Sequence, residues 1–141
     1  MPSEQSHREQ AKNNEEAALS IRDTFPDWAV TMCFYSALHC IEAYAKVQKV
    51  DLEEKYQGSS SPHDRLFDYV RDIADRRDRS LEKAYKNLKN ESQIARYLTG
   101  MKAGIKTSIK TNSRFHYTRH TKIDVDRSFD NLQIVKKLLN S

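Results

Sequence analysis

Glycine and proline are scarce in this chain, since each occurs only three times among 141 residues. Sheets and loop-rich folds need more of these residues to form their tight turns. Charged residues make up 31% of the sequence, and Ala, Leu, Lys, Glu and Arg, which favour helices, are frequent. The composition therefore predicts an all-α protein, and the length predicts a single domain over residues 1–141.

Long apolar runs are also lacking, because no stretch approaches the roughly 20 residues that cross a bilayer. The first ten residues, MPSEQSHREQ, are too polar for the apolar centre of a secretory signal. We therefore expect a cytoplasmic protein that makes no use of a membrane. His7 lies in this polar stretch, where we expect a frayed terminus.

Cysteine is rare as well, with two residues in the whole chain. Cys33 and Cys40 lie in one predicted helix about 10 Å apart along its axis, which is too far for a disulfide. No Cys or His pair has the spacing of a metal site. We expect two buried thiols, and no metal or other cofactor.

Helical periodicity and capping residues divide the chain into helices. In order, the predicted helices cover residues 4–23, residues 28–47 with Asp27 as the cap, a third from Pro62, a fourth from Ser80 to Gly100, and a last from Asp124 or Asp126 to Leu139. The third helix is predicted to start with a Ser cap and an early Pro in SSSPHDR. The predicted buried stripes are Leu66, Tyr69, Val70 and Ile73 on the third helix, Leu81, Tyr85, Leu88, Ser92, Ala95 and Leu98 on the fourth, and Phe129, Leu132, Val135 and Leu139 on the last. Residues 48–62 are predicted to be a loop. Residues 100–123 form a less regular, basic segment. This arrangement predicts an antiparallel bundle of four to five helices.

Positive charge is concentrated near the C-terminal end of the chain. The range 92–123 has no Asp or Glu and has seven basic residues: Arg96, Lys102, Lys106, Lys110, Arg114, Arg119 and Lys122. This charge is interleaved with Tyr97, Phe115 and Tyr117, so the segment has what is needed to contact phosphates and to stack unpaired RNA bases. The alternative is that the charges face water, or pair with acidic residues elsewhere or in a second subunit.

The order of three patterns resembles the HEPN superfamily of helical domains. The central helix carries FYSALHCIEAY, from Phe34 to Tyr44, which looks like the aromatic and Ala-rich pattern of that family. SSSPHDR, from Ser59 to Arg65, precedes the next helix, and SQIARY, from Ser92 to Tyr97, is similar to the pattern that ends a later helix. The resemblance covers residues 11–139 and implies a HEPN-like bundle.

The resemblance also implies function. HEPN domains are frequently homodimers that cut or bind RNA, or that pair with a nucleotidyltransferase in toxin–antitoxin systems. By the same resemblance, His63 and Arg65 are candidate ligand-binding residues. From the residues alone, these two are part of a helix start.

Active HEPN ribonucleases carry an Arg, four to six intervening residues and a His. Ser92 occupies the usual place of that Arg, but SRFHYTRH supplies Arg114 and His120 at the required spacing. Such a pair would cut RNA without a metal, because the His transfers protons and the Arg stabilises the charged phosphorane. With eleven Arg and five His in the chain, about one such pair is expected by chance. Two basic residues without a catalytic role are therefore the alternative.

The central helix offers a second candidate site. Five of its polar residues fall within one sector of the helix: Thr31, Tyr35, His39, Glu42 and Lys46. Glu42 is close enough to hold the ring of His39. One interpretation of the sector is a solvent-exposed edge of the helix or a hydrogen-bonded network in the core. The other is a pocket or a dimer interface, with Arg96 and Tyr97 opposite.

The leading hypothesis is an RNA-binding or RNA-processing module, with metal-independent endoribonuclease activity as an open question. A catalytically inactive module that pairs with another protein, such as a nucleotidyltransferase, is the alternative. A third hypothesis is a small-molecule or nucleotide pocket at the His39 sector.

Overall fold

The computed structural model describes residues 2–97 and 120–139 and is all-α. Its helices are α1 (Glu4–Ile21), α2 (Pro26–Val47), α3 (Leu52–Lys55), α4 (Pro62–Arg76), α5 (Ser80–Tyr97) and α6 (Lys122–Leu138). The described ranges contain no strand. The predicted all-α helical bundle is therefore confirmed.

Side-chain caps explain where several helices begin. The hydroxyls of Ser3, Ser61 and Thr121 each accept a backbone N–H of the first turn of α1, α4 and α6. In α6 the Asp124 carboxylate also accepts the N–H of Thr121, which completes a capping box and moves the start of the helix to Lys122.

The start of α2 differs from the prediction. The helix begins at Pro26, which suits the first helical position, and Phe25 at the N-cap position has no side-chain acceptor for a capping hydrogen bond. Asp27, predicted to be the cap, lies inside the first turn, and its carboxylate binds His120 instead. The capping prediction was therefore wrong because the helix starts one residue before Asp27, at Pro26.

Helix α2 is the centre of the bundle, as predicted. It packs against α1, α5 and α6, and more weakly against α4. Val30, Phe34 and Ile41 are completely buried on it. Cys33 and Cys40 are also buried and are not joined by a disulfide, and burial raises the pKa of the Cys33 thiol to about 12, which leaves it unreactive.

The predicted loop at residues 48–62 contains the short helix α3, which the sequence analysis missed. Asp51 caps it by accepting the N–H of Glu54 at 3.2 Å. The Tyr56 hydroxyl then donates to Asp72 on α4, and Ser59 donates to Asp68 at 2.5 Å. The segment is thus held against α4 by side-chain contacts that periodicity does not reveal.

The apolar stripes predicted for the remaining helices are confirmed in the described residues; Leu98, the last predicted stripe residue of α5, lies outside them. The stripe residues that are buried are Leu66, Tyr69, Val70 and Ile73 on α4, Leu81, Tyr85, Leu88, Ser92 and Ala95 on α5, and Phe129, Leu132, Val135 and Leu139 at α6. None of the described helices is both long enough and apolar enough to cross a membrane.

The Tyr69 hydroxyl is buried and has no hydrogen-bond partner in the described part of the chain. Burying an unpaired hydroxyl costs free energy. We therefore expect Tyr69→Phe to raise the free energy of unfolding by about 1 kcal/mol, measured by urea denaturation.

Tyr56→Phe is the matched control, because the Tyr56 hydroxyl has a partner in Asp72. This variant should lose stability. A Tyr69→Phe variant that loses as much as Tyr56→Phe would show that the Tyr69 hydroxyl is bonded after all.

Candidate functional site

Polar side chains of α2 form hydrogen bonds within the helix and with its neighbours α1 and α5. The Thr31 hydroxyl donates to the carbonyl of Asp27 within the helix. On another side of α2, the buried Ser36 hydroxyl donates to the carbonyl of Ala11 on α1 at 2.7 Å. The small side chains of Ala11 and Ala18, both buried, allow α1 to lie close against α2. This close packing brings the first turn of α1 next to His39.

His7, His39 and Glu42 meet where α1 and α2 pack together. The Nδ1 atoms of the two histidines lie 3.0 Å apart. Glu42 Oε1 lies 3.3 Å from Nδ1 of His7 and 3.1 Å from Nδ1 of His39. The His7 ring is buried, whereas His39 and Glu42 each keep about a quarter of their surface exposed. The predicted contact of Glu42 with His39 is therefore observed.

The environment of His7 favours its neutral form. Burial of the ring lowers its pKa, and the charges of His39 and Lys46 act in the same direction, while Glu42 opposes them. A neutral imidazole has a free lone pair. His7 is therefore suited to accept a hydrogen bond or to bind a metal.

Arg96 reaches the other end of the polar sector. Its guanidinium donates to the Tyr35 hydroxyl at 3.0 Å and lies 5.6 Å from the centre of the Tyr35 ring. It also donates to the Ser92 carbonyl within α5. Arg96 therefore faces Tyr35 in the sector, and the contact joins the last turn of α5 to α2.

A groove of about 630 Å³ opens beside the histidine cluster. His7 and Glu42 form part of its wall, together with Lys46, Lys49 and Arg65. The last three residues give this groove a cationic rim that is close to two carboxylates, Asp51 and Glu53. The groove has room for a small polar ligand.

His63 does not belong to this groove. It is an exposed residue in the first turn of α4, and its ring stacks on Phe34 at 6.1 Å between centroids. Ser61 and Pro62 start the helix here, as the local reading predicted. The structure therefore places His63 and Arg65 at a helix start and brings only Arg65 to the groove.

His120 lies between two carboxylates from different helices. Its Nδ1 is 2.6 Å from Asp27 Oδ1, and its Nε2 is 2.9 Å from Glu91 Oε1. Its backbone N–H also donates to Asp27 Oδ1, at 2.8 Å. Only 4% of the side chain is exposed, so the residue is anchored to α2 and α5 just before α6 begins.

This arrangement stabilises the doubly protonated ring. Burial by itself lowers the pKa of an imidazole, but the hydrogen bonds and charges of Glu91 and Asp27 outweigh burial and raise the pKa of His120 above its usual value. Both ring nitrogens then act as donors. In this state His120 has no lone pair with which to accept a proton from a substrate.

The other predicted residues lie at or beyond the end of α5. Tyr97 is the last residue of that helix. Seven predicted residues fall outside the described ranges: Lys102, Lys106, Lys110, Arg114, Phe115, Tyr117 and Arg119. The catalytic pairing of Arg114 with His120 stays a prediction.

Three residues at these contacts were missed by the sequence analysis. His7 is buried and ordered, so the expected frayed terminus is wrong at this residue. It stands four residues before Ala11, on the buried face of α1, and this spacing was the available signal. No local pattern marks Asp27 or Glu91 as partners of His120.

Comparison of the chain with protein-family models, with curated proteins and with solved structures found no match.

Proposed function

We propose that the chain is a HEPN-like module that binds RNA and acts in nucleic-acid processing. The family part of this proposal is supported by the order of the three sequence patterns and is compatible with the all-α fold. The RNA part is supported by residues 98–119, which contain five basic and no acidic residues.

The observation that carries the proposal is the position of both chain neighbours of this basic range. Arg96 is bonded to Tyr35, and His120 is bonded to Asp27 and Glu91. The described residues on both sides of the range 98–119 are therefore held on the same two helices, α2 and α5. Fixed ends reduce the entropy that a cationic segment loses when it orders on a polyanion.

Two exposed aromatic residues are close in sequence to Asp27, the residue that binds His120. Trp28 is 58% exposed and Phe25 is 53% exposed, and both are within two residues of Asp27, which binds His120. Aromatic rings next to a cationic segment are the usual platform for unpaired bases. This pairing of rings and positive charge favours single-stranded RNA over a duplex.

The contacts of His120 favour binding over cleavage. A general base needs an unprotonated nitrogen within reach of the substrate, and both nitrogens of His120 face carboxylates. We therefore propose that His120 mainly positions the end of the basic segment. Cleavage remains a measurable alternative.

The test is the salt dependence of binding to labelled single-stranded RNA in EDTA. We expect replacement of Lys102, Lys106 and Lys110 by Ala to weaken binding. The slope of log K against log salt should fall by about 2, because each lost phosphate contact contributes about 0.7. The control replaces the exposed Lys83, Lys86 and Lys137 and removes the same charge. An unchanged slope in the first variant, or an equal loss in the control, would contradict a specific role for the segment.

Cleavage is tested in the same reactions with Arg114→Ala, His120→Ala and Asp27→Asn. Asp27→Asn disturbs the anchor of His120 but keeps the imidazole. Metal-independent cutting that survives in Asp27→Asn but is lost in Arg114→Ala and His120→Ala would assign catalysis to this pair. Equal loss in all three variants would assign His120 a positioning role.

The second candidate function is a non-catalytic module that pairs with another protein, such as a nucleotidyltransferase, or with a second copy of the chain. The observation that favours it is the exposure of Ile123, at 64%, three residues after His120, together with the exposed Phe25 and Trp28 on either side of Asp27 in the chain, which binds His120. Exposed apolar side chains at one end of a bundle are typical of interfaces. Absence of RNA binding at low salt would favour this candidate.

A further inference from the structure

Hydrogen bonds cannot account for all three short contacts among His7, His39 and Glu42. Each Nδ1 carries at most one proton or one lone pair. If both Nδ1 atoms are protonated, both donate to Glu42 Oε1, and the 3.0 Å contact between the nitrogens is unfavourable. If one is protonated, the other nitrogen faces the carboxylate with a lone pair. At most two of the three short contacts are therefore hydrogen bonds at any time.

A single cation would satisfy all three atoms at once. Zn²⁺ binds imidazole nitrogen and carboxylate oxygen at about 2.0–2.2 Å in a tetrahedron, so two of its ligand atoms lie about 3.3 Å apart. The three separations in the cluster are 3.0, 3.1 and 3.3 Å. The ligand atoms thus already lie near the positions that a small divalent ion requires.

We infer that His7, His39 and Glu42 form a binding site for a divalent transition-metal ion of the Zn²⁺ class. Two imidazoles and one carboxylate are a donor set that suits Zn²⁺, Fe²⁺ and Co²⁺ and disfavours Ca²⁺ and Mg²⁺, which prefer oxygen ligands. His39 and Glu42 come from one face of α2, at an i and i+3 spacing, and His7 comes from α1. Bound metal would therefore tie the first turns of α1 to the middle of α2.

The site is open on one side. His7 and Glu42 also line the groove of about 630 Å³, so a metal held by three protein ligands has space for water or a small ligand as the fourth. Three protein ligands with an accessible fourth position are typical of reactive zinc sites, whereas structural sites have four protein ligands. Lys46, Lys49 and Arg65 on the same groove would favour an anionic fourth ligand.

The experiment titrates the full chain, without an affinity tag and stripped with EDTA, with Co²⁺ and then with Zn²⁺. We expect one Co²⁺ per chain, with the visible absorption of a four-coordinate ion that Zn²⁺ then displaces. We also expect saturating Zn²⁺ to raise the melting temperature by about 5 °C or more, because the ion binds the folded state only.

Three variants assign the site. His39→Gln and Glu42→Gln should each weaken Zn²⁺ binding by about 100-fold or more, since each removes a direct ligand. His63→Gln is the control, because His63 is exposed and lies outside the cluster. Circular dichroism without metal checks that each variant still folds.

Two outcomes overturn the inference. A wild-type chain with no cobalt spectrum and no rise in melting temperature would show that the cluster is a hydrogen-bonded network only. Folded His39→Gln and Glu42→Gln variants with wild-type Zn²⁺ affinity would place the ion elsewhere. Both readouts are independent of RNA binding, so they test this site separately from the proposed function.

Discussion

Replacing His120 with Ala is expected to lower the free energy of unfolding by about 2 kcal/mol near pH 6. The substitution leaves Asp27 and Glu91 facing each other's charge without the imidazolium that now lies between them. Breaking a fully buried pair costs about 3–5 kcal/mol. The expected loss is smaller here because the two carboxylates are 23% and 38% exposed to water.

The loss of stability caused by His120→Ala should depend on pH. The pKa of His120 is raised in the folded state, so the folded chain holds this proton more tightly than the unfolded chain. Its contribution to stability is fully present below the unfolded pKa of about 6.5 and disappears as the pH rises through the folded pKa. The cost of His120→Ala should therefore shrink in alkaline solution. Urea denaturation of wild type and variant across the pH range measures this difference.

The contribution of His7 to the pH dependence of stability has the opposite sign to that of His120, so the two contributions must be measured separately. Its pKa is lowered by burial, so protonation of His7 opposes folding as the pH falls. The difference between wild type and His120→Ala cancels the contribution of His7, because both chains contain it. A difference that stays constant with pH would contradict the proposed imidazolium between two carboxylates.

Replacing Phe34 with Ala is expected to lower the free energy of unfolding by about 4 kcal/mol. Phe34 is completely buried on α2. Its ring lies 5.6 Å from that of Tyr85 on α5 and 6.1 Å from that of His63 on α4. Removing it leaves a cavity where three helices meet, and these helices cannot all move inward to fill it.

Phe67→Ala is the matched control for this prediction. Phe67 also stacks on Tyr85, at 6.3 Å, but it is only partly buried. We expect a loss of about 2 kcal/mol, half of that at Phe34. Denaturant midpoints with unchanged slopes would support both values. An equal loss at the two sites would show that α4 and α5 readjust around Phe34.

Sequence patterns predicted much of the fold because helix formation is local. Apolar residues three and four apart, Ser61 before Pro62, and the buried stripe from Leu81 to Ala95 each depend on neighbours within two turns. The role of Asp27 was misjudged for the opposite reason, since its partner His120 is 93 positions away.

The candidate site was predicted only in part. The sector that contains Tyr35, His39 and Glu42 was found because its members share one face of one helix. His7 was missed because its partner His39 is 32 residues away. The spacing of His7 from Ala11 indicates a buried position on α1 but does not identify that partner.

The sequence by itself determined the helices, their buried faces and the concentration of positive charge in residues 98–119. These properties follow from backbone preferences and from hydrophobic periodicity, which operate over a few residues. Only the tertiary structure decided that His7 joins His39 and Glu42, and that His120 lies between Asp27 and Glu91. These contacts depend on how the helices pack, because packing brings together side chains that are far apart in the chain. The burial and the neighbouring charges that result then shift the pKa values of these side chains.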